Sequence, residues 1–172
     1  MKAIFALALA ALLDPSREGG FSNDEQDPGG ATNHGVTKRT WEAFVGHEVT
    51  VEDIQALTID DVSPLYRQRY WDAIRGDDLP VGVDYALFDF AVNSGVHEAT
   101  KKLQEVVGAE PDGELGDYTL YALFQKHSPE VIPAVSAARL EMLQSLPTWE
   151  HFGHGWENRV EAVKAEALAL VQ

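Results

Sequence analysis

The chain contains no cysteine. That excludes a disulfide-stapled architecture, a thiolate nucleophile and a thiolate zinc site, while leaving the compartment open, because a chain without thiols works in either redox state. It is also short of basic residues, with 13 Lys and Arg against 28 Asp and Glu, for a formal net charge of −15. Neutralising phosphates needs clustered cations, so nucleic acid is not an expected partner. The longest apolar run, from Ala3 to Leu13, falls well short of the ~20 residues of a membrane span, so stable membrane insertion is not expected. Of six histidines only His151 and His154 stand at close helical spacing. Zinc needs three or four protein ligands, so no metal site is expected, and no cofactor. There is no repeat array or low-complexity stretch, and the longest hinge candidate, RGDDLPVG at 75–82, is short for a tether between independent domains.

What the chain does have is a segment in which two carboxylates meet glycine-rich turns, REGGFSNDEQDPGGATNHGVT from Arg17 to Thr37. Glu18 follows an apolar stretch and precedes Gly19 and Gly20, which let the backbone turn sharply. Asp27 opens Asp-Pro-Gly-Gly, where Pro28 presets one turn dihedral and the glycines supply positive φ, so a tight hairpin is expected there. Taken singly, EGG reads equally well as a helix C-cap and DPGG as a surface turn with a solvated acid. Taken together, two carboxyl groups held apart are what glycosidic hydrolysis uses, one to protonate the leaving oxygen and one to act on the other face.

Glu18, Asp27 and the threonines beyond, Thr32 and Thr37, resemble the Glu, Asp, Thr arrangement of phage-type lysozymes. More specifically, EGGFSNDEQDPGGATNHGVTKRTW resembles the signature of glycoside hydrolase family 108, peptidoglycan N-acetylmuramidases with a lysozyme-like fold. The resemblance implies hydrolysis of the β-1,4 bond between N-acetylmuramic acid and N-acetylglucosamine, with Glu18 as general acid and Asp27 as base acting through water. Thr32 is the expected holder of that water, and Thr37 a helix cap instead; Asp24 is the next carboxylate to consider. It further implies a phage-endolysin type of enzyme, made in the bacterial cytoplasm and acting on cell-wall glycan strands in the periplasm, and a monomer. The alternatives are a lytic transglycosylase and a non-catalytic peptidoglycan-binding or secretion-accessory protein.

The run from Ala3 to Leu13 has two readings, a cleaved signal peptide and a buried first helix. Ile4, Leu7, Ala8, Ala11 and Leu12 fall at helical spacing. The helix is the expected form, because it gives Glu18 an apolar neighbour able to raise its pKa. Pro15 departs from the family pattern, in which the helix is expected to continue unbroken into EGG.

Beyond the hairpin nearly everything reads as helix. Lys38 to Val45 is amphipathic, with Trp41 and Phe44 on one side. Thr50 and Asp53 make a capping box for a helix through Leu57, and Thr58 opens another in which Pro64 is tolerable within the first turn. Leu65, Tyr66, Tyr70, Trp71 and Ile74 form an aromatic-rich face, either core or, at Tyr70 or Trp71, the lining of a sugar groove. In GVDYALFDFAVNSG, residues 82–95, Val83, Leu87, Phe90, Ala91 and Ser94 line a core face. Tyr85, Asp89 and Asn93 line another, read either as internally satisfied or as a wall that hydrogen-bonds the glycan. Leu103-Gln104, Gly108, Asp112-Gly113, Gly116 and Thr119 resemble the helix, turn, helix pattern of small peptidoglycan-binding modules, with Asp117 or Thr119 as cap. Two more helices are expected at about 130–146 and 157–171, joined by PTWEHFGHGW.

The expected fold class is therefore mainly α, formally α+β: a lysozyme-like helical lobe and a small β-hairpin lobe enclosing a cleft. Residues 1–80 make the catalytic segment, and 81–172 a peptidoglycan-binding-like helical segment packed into the same body.

Overall fold

The apolar run folds as helix α1, Ala3–Leu12, in the computed structural model of the chain, which describes residues 3–14, 20–23 and 30–172. Its buried face is Phe5, Ala8, Leu9 and Leu12, not the line through Ile4 and Leu7; Leu7 is 56% exposed. In a run that is apolar all round, two stripes satisfy helical spacing, and the one with the large aromatic is buried. Phe5 packs edge-on against Trp71 and Phe88, with ring centroids 5.2 and 5.9 Å away. The chain divides into two compact units, Leu9–Arg69 on the one hand, and Tyr70–Gln172 with the segment up to Ala8 on the other.

Within Leu9–Arg69, strands β1 (Thr32–Asn33) and β2 (Val36–Thr37) pair antiparallel, Thr32 opposite Thr37. The connecting His34 and Gly35 both have positive φ, 48° and 70°. That pair of angles is what a two-residue hairpin needs to match strand twist. Tyr66 holds the turn from below, its hydroxyl donating to the His34 carbonyl at 2.9 Å. Thr32 also pairs on its other side with Ser22, through two backbone hydrogen bonds of 2.8 and 2.7 Å. The described ladder thus turns at His34–Gly35. Of the hairpin expected at Asp27–Gly30 only Gly30 is described, with φ 73°; residues 24–29, like the Pro15 break at 15–19, lie outside the described residues.

Three short helices complete this unit. Helix α2, Lys38–Val45, has the expected bounds, with Trp41 and Phe44 rings 5.6 Å apart. Thr37 is its N-cap, accepting from the Thr40 N–H at 3.1 Å. Thr37→Ala is therefore expected to lose about 1 kcal/mol of stability, read as a lower urea midpoint with an unchanged slope. Helix α3, Val51–Ala56, opens on the Thr50/Asp53 capping box and α4, Ile59–Tyr66, on a second from Thr58 and Asp61. Buried Asn33 donates to the carbonyls of Ile54 and Gln55 at 3.0 and 3.1 Å, satisfying acceptors that the end of α3 leaves open. Pro64 sits inside α4 rather than in its first turn, and the chain continues as a π-turn over Arg67–Trp71. A missing N–H and the ring's bulk loosen a helix in this way.

The other unit is built on α5, Val83–Ser94. Every residue from Val83 to Ala91 is buried. Over that stretch the separation into a core face and a polar wall therefore does not hold, and only the last turn, with Asn93, reaches solvent. Helices α6 (Val96–Val107), α8 (Ser128–Gln144) and α9 (Trp149–Ala169) pack on it. It starts at Gly82, where φ is +84° and a Cβ would stand 2.6 Å from the Ala167 carbonyl oxygen. Gly82→Ala is expected to cost at least about 1–3 kcal/mol from backbone strain alone, read by thermal or urea unfolding of the whole chain.

Helix α7, Asp117–Phe124, follows a turn organised by one side chain. Gln104, 1% exposed, donates to Asp112 at 2.7 Å and to Thr119 at 3.0 Å, and accepts from the Gly113 N–H at 2.8 Å. Neither Asp117 nor Thr119 caps α7: Asp117 binds Arg75 at 2.6 Å, and Thr119 is a buried partner of Gln104. Helix α9 begins at Trp149, so most of PTWEHFGHGW is helix rather than a joining loop. Two glycines disfavour that assignment by propensity. Gly153 is needed because the Trp149 indole lies against it, 2.5 Å from where a Cβ would be. Among the described residues no helix is long and apolar enough to cross a membrane.

The expected class, mainly α with a small antiparallel β element, is the one observed.

Candidate functional site

Glu18 and Asp27, with Asp24, lie outside the described residues. Thr32 is described: it is half-buried on β1, its hydroxyl donates to the Gly30 carbonyl at 3.3 Å, and its backbone is paired with Ser22. Asp27 thus falls, in sequence, between two residues that the backbone holds side by side.

The four expected glycan-binding residues, Trp71, Tyr85, Asp89 and Asn93, are placed in the unit built on α5. Trp71 has no exposed surface; its indole N–H donates to Asp77 at 2.9 Å and its ring meets Phe5 and Phe88. As placed, it offers no face to a sugar. Tyr85 is 3% exposed and donates its hydroxyl to Glu166. Asp89 is fully buried and is the centre of an ion cluster. Arg139, 3% exposed, donates to one carboxylate oxygen at 2.7 Å, and Arg159 donates to the other at 3.0 Å. Asn93 alone of the four reaches solvent. Its amide oxygen accepts from Arg139 at 3.2 Å, so the buried cluster and the exposed amide form one hydrogen-bonded chain.

Burial pushes the Asp89 carboxyl up, but attraction to Arg139 and then Arg159, with their hydrogen bonds, outweighs it and holds the group below the ordinary carboxylate range. Burial also lowers Arg139. The two directions pull opposite ways on one pair, yet a guanidinium so far from its titration range stays charged wherever Asp89 is ionised. Arg139 further lies over the Phe90 ring, 5.2 Å from its centroid.

Sequence reasoning missed Arg139, Arg159 and Glu166. A signal for the first was present. Ile132, Val135, Ser136, Arg139 and Leu143 follow one buried stripe of α8, and a lone Arg on such a stripe requires a buried acid. Asp89, in the mostly apolar middle of α5, is that acid.

Among the described residues, each unit has a concavity. In the α5 unit a pocket of about 360 Å³ is lined by Asn93, Ser94, Glu98, Met142, Leu146 and Trp156. In the Leu9–Arg69 unit a hollow of about 390 Å³ includes Trp41, His47, Asp53 and Asp61. Both acids of the hollow are engaged in capping boxes, accepting from Thr50 and Thr58. Among the described residues no three His, Asp or Glu side chains converge to hold a metal.

The profile of the family described as Glycosyl hydrolase 108 matches residues 15–95. The structure of Brucella abortus SagA superposes on the chain with a TM-score of 0.84, at 42% identity, covering 99% of this chain and 97% of that one. The chain belongs to glycosyl hydrolase family 108. It is thus a glycoside hydrolase, broadly of the lysozyme-like, peptidoglycan-directed kind. No curated protein matches it. The stretch of this family 108 hydrolase that matches the profile runs through Glu18, Asp27 and Thr32 and ends at Gly95, just past Asn93.

Proposed function

We propose that the protein is an N-acetylmuramidase that hydrolyses the β-1,4 bond between N-acetylmuramic acid and N-acetylglucosamine in peptidoglycan. The observation that carries this reading is the family match over residues 15–95, which takes in both carboxylates and Thr32 in one continuous segment. Glu18 protonates the leaving glycosidic oxygen. Asp27 accepts a proton from the attacking water, and the water adds to the anomeric carbon as the bond to the leaving oxygen breaks. Thr32 assists by holding that water; a hydroxyl both donates and accepts, as this task requires. The pairing of Ser22 with Thr32 supports the assignment, since it ties the residues flanking Asp27 to the β1 hairpin. The enzyme works on cell-wall glycan strands, as a lytic enzyme of the endolysin type.

A base acting through water requires carboxyl groups about 6.5–9.5 Å apart and gives an inverted product; a covalent nucleophile requires about 5–5.5 Å and gives retention. Asp27→Asn is expected to be severely impaired in releasing reducing sugar from purified peptidoglycan, and proton NMR of early wild-type products to show inversion. Retained configuration, or normal release by folded Asp27→Asn, would move the second carboxylate role elsewhere, first to Asp24.

A further inference from the structure

The pocket of about 360 Å³ in the α5 unit has a defined polar edge. A guanidinium carries donors only, so the Asn93 amide must turn its oxygen to Arg139, 3.2 Å away. The Ser94 hydroxyl donates to the same oxygen at 3.3 Å. The Asn93 NH2 is thereby turned away from the buried cluster, and among the described residues no acceptor takes it. Glu98, half-buried, supplies an acceptor in the same pocket. The remaining wall is apolar, with Met142, Leu146 and the half-buried indole of Trp156. Trp156 belongs to an aromatic surface that includes Phe152, 57% exposed, at 5.8 Å between centroids.

We infer that this pocket is a binding subsite for the 2-acetamido group of an N-acetylglucosamine residue. Asn93 Nδ2 donates to the acetamido carbonyl, and Glu98 accepts from its N–H. The methyl group meets Met142 and Leu146, and the indole of Trp156 lies against the sugar ring, the amphipathic contact for which tryptophan is suited. Charge selects the occupant. A carboxylate at the pocket and a chain of net charge −15 oppose the lactyl acid of muramic acid and the acids of a stem peptide, whereas N-acetylglucosamine is neutral. The hollow in Leu9–Arg69 lacks this edge, because its carboxylates serve helix caps. The inference deepens the muramidase reading and rests on it for the identity of the polymer.

The test is an NMR titration of the intact ¹⁵N-labelled protein with N-acetylglucosamine, glucose and N-acetylmuramyl dipeptide in turn. N-acetylglucosamine is expected to move the Asn93 side-chain amide and the Trp156 indole signals, and glucose is not. Asn93→Asp keeps an oxygen for Arg139 but replaces the donor by an acceptor, and should weaken binding about tenfold or more. Glu98→Ala, at a half-buried position, should weaken it as well and stands in if Asn93→Asp fails to fold. Equal shifts with glucose, shifts with the muramyl dipeptide alone, or unaltered binding by a folded variant would overturn the inference. A protein that releases reducing ends from peptidoglycan yet gives no shifts at Asn93 and Trp156 would sink the subsite and leave the muramidase standing.

Discussion

Glu18→Gln is expected to leave the fold intact and to lower peptidoglycan lysis by at least about a hundredfold, the scale on which general acid catalysis contributes. The substitution keeps shape and removes only the transferable proton. Glu18 follows the apolar run that forms α1, and Phe5, Ala8, Leu9 and Leu12 of that helix are buried. In the proposed mechanism Glu18 is the proton donor, and a general acid works best when it still holds its proton near the operating pH. The assay is turbidity loss of purified cell walls, with circular dichroism to verify folding. Substantial activity in a folded Glu18→Gln protein would remove Glu18 from the mechanism.

The second large effect falls on stability. Asp89→Asn conserves volume but removes the buried counter-charge of Arg139, 3% exposed, together with the Asp89 contact of Arg159. Breaking a buried ion pair from one side costs about 3–5 kcal/mol, most of it the penalty of the stranded charge. The urea midpoint of Asp89→Asn should fall accordingly. The pH dependence has a definite sign. The folded-state value of Asp89 lies below its ordinary 3.8, so the stability it contributes is fully present above that value and is lost as pH falls through the lower folded value. The stabilities of wild type and Asp89→Asn should therefore converge only below about pH 3.8, and a gap that closed near neutrality would contradict the assignment. Because Asn93 shares Arg139 with Asp89, the same substitution should also disturb the Asn93 amide signal.

How far the sequence discloses this molecule depends on whether the deciding interaction is local. The bounds of α2, the Thr50/Asp53 capping box and the helix start at Thr58 are readable because a cap is settled within four residues. The phase of α1 is not, since Leu7 and Phe5 are equally good apolar neighbours until Trp71 and Phe88 arrive from far along the chain. The start of α9 is hidden for a similar reason: glycines at 153 and 155 argue against helix, and only the indole lying on Gly153 explains one of them. At the candidate site the carboxylates Glu18 and Asp27 are proposals that rest on spacing and family resemblance, since both lie outside the described residues. The fate of Asp89 is not, because its two partners stand 50 and 70 positions away in the chain. The first of them, Arg139, also turns the Asn93 amide outward.

The most direct test of the account is the chemistry of the cut. Purified peptidoglycan digested with the protein and resolved by mass spectrometry should yield fragments whose new reducing ends are N-acetylmuramic acid, each heavier by one water than the corresponding anhydro form. Anhydromuramic ends would mean a transglycosylase, reducing ends on N-acetylglucosamine a different glycosidase, and intact glycan a binding protein; any of the three would contradict the muramidase proposed here.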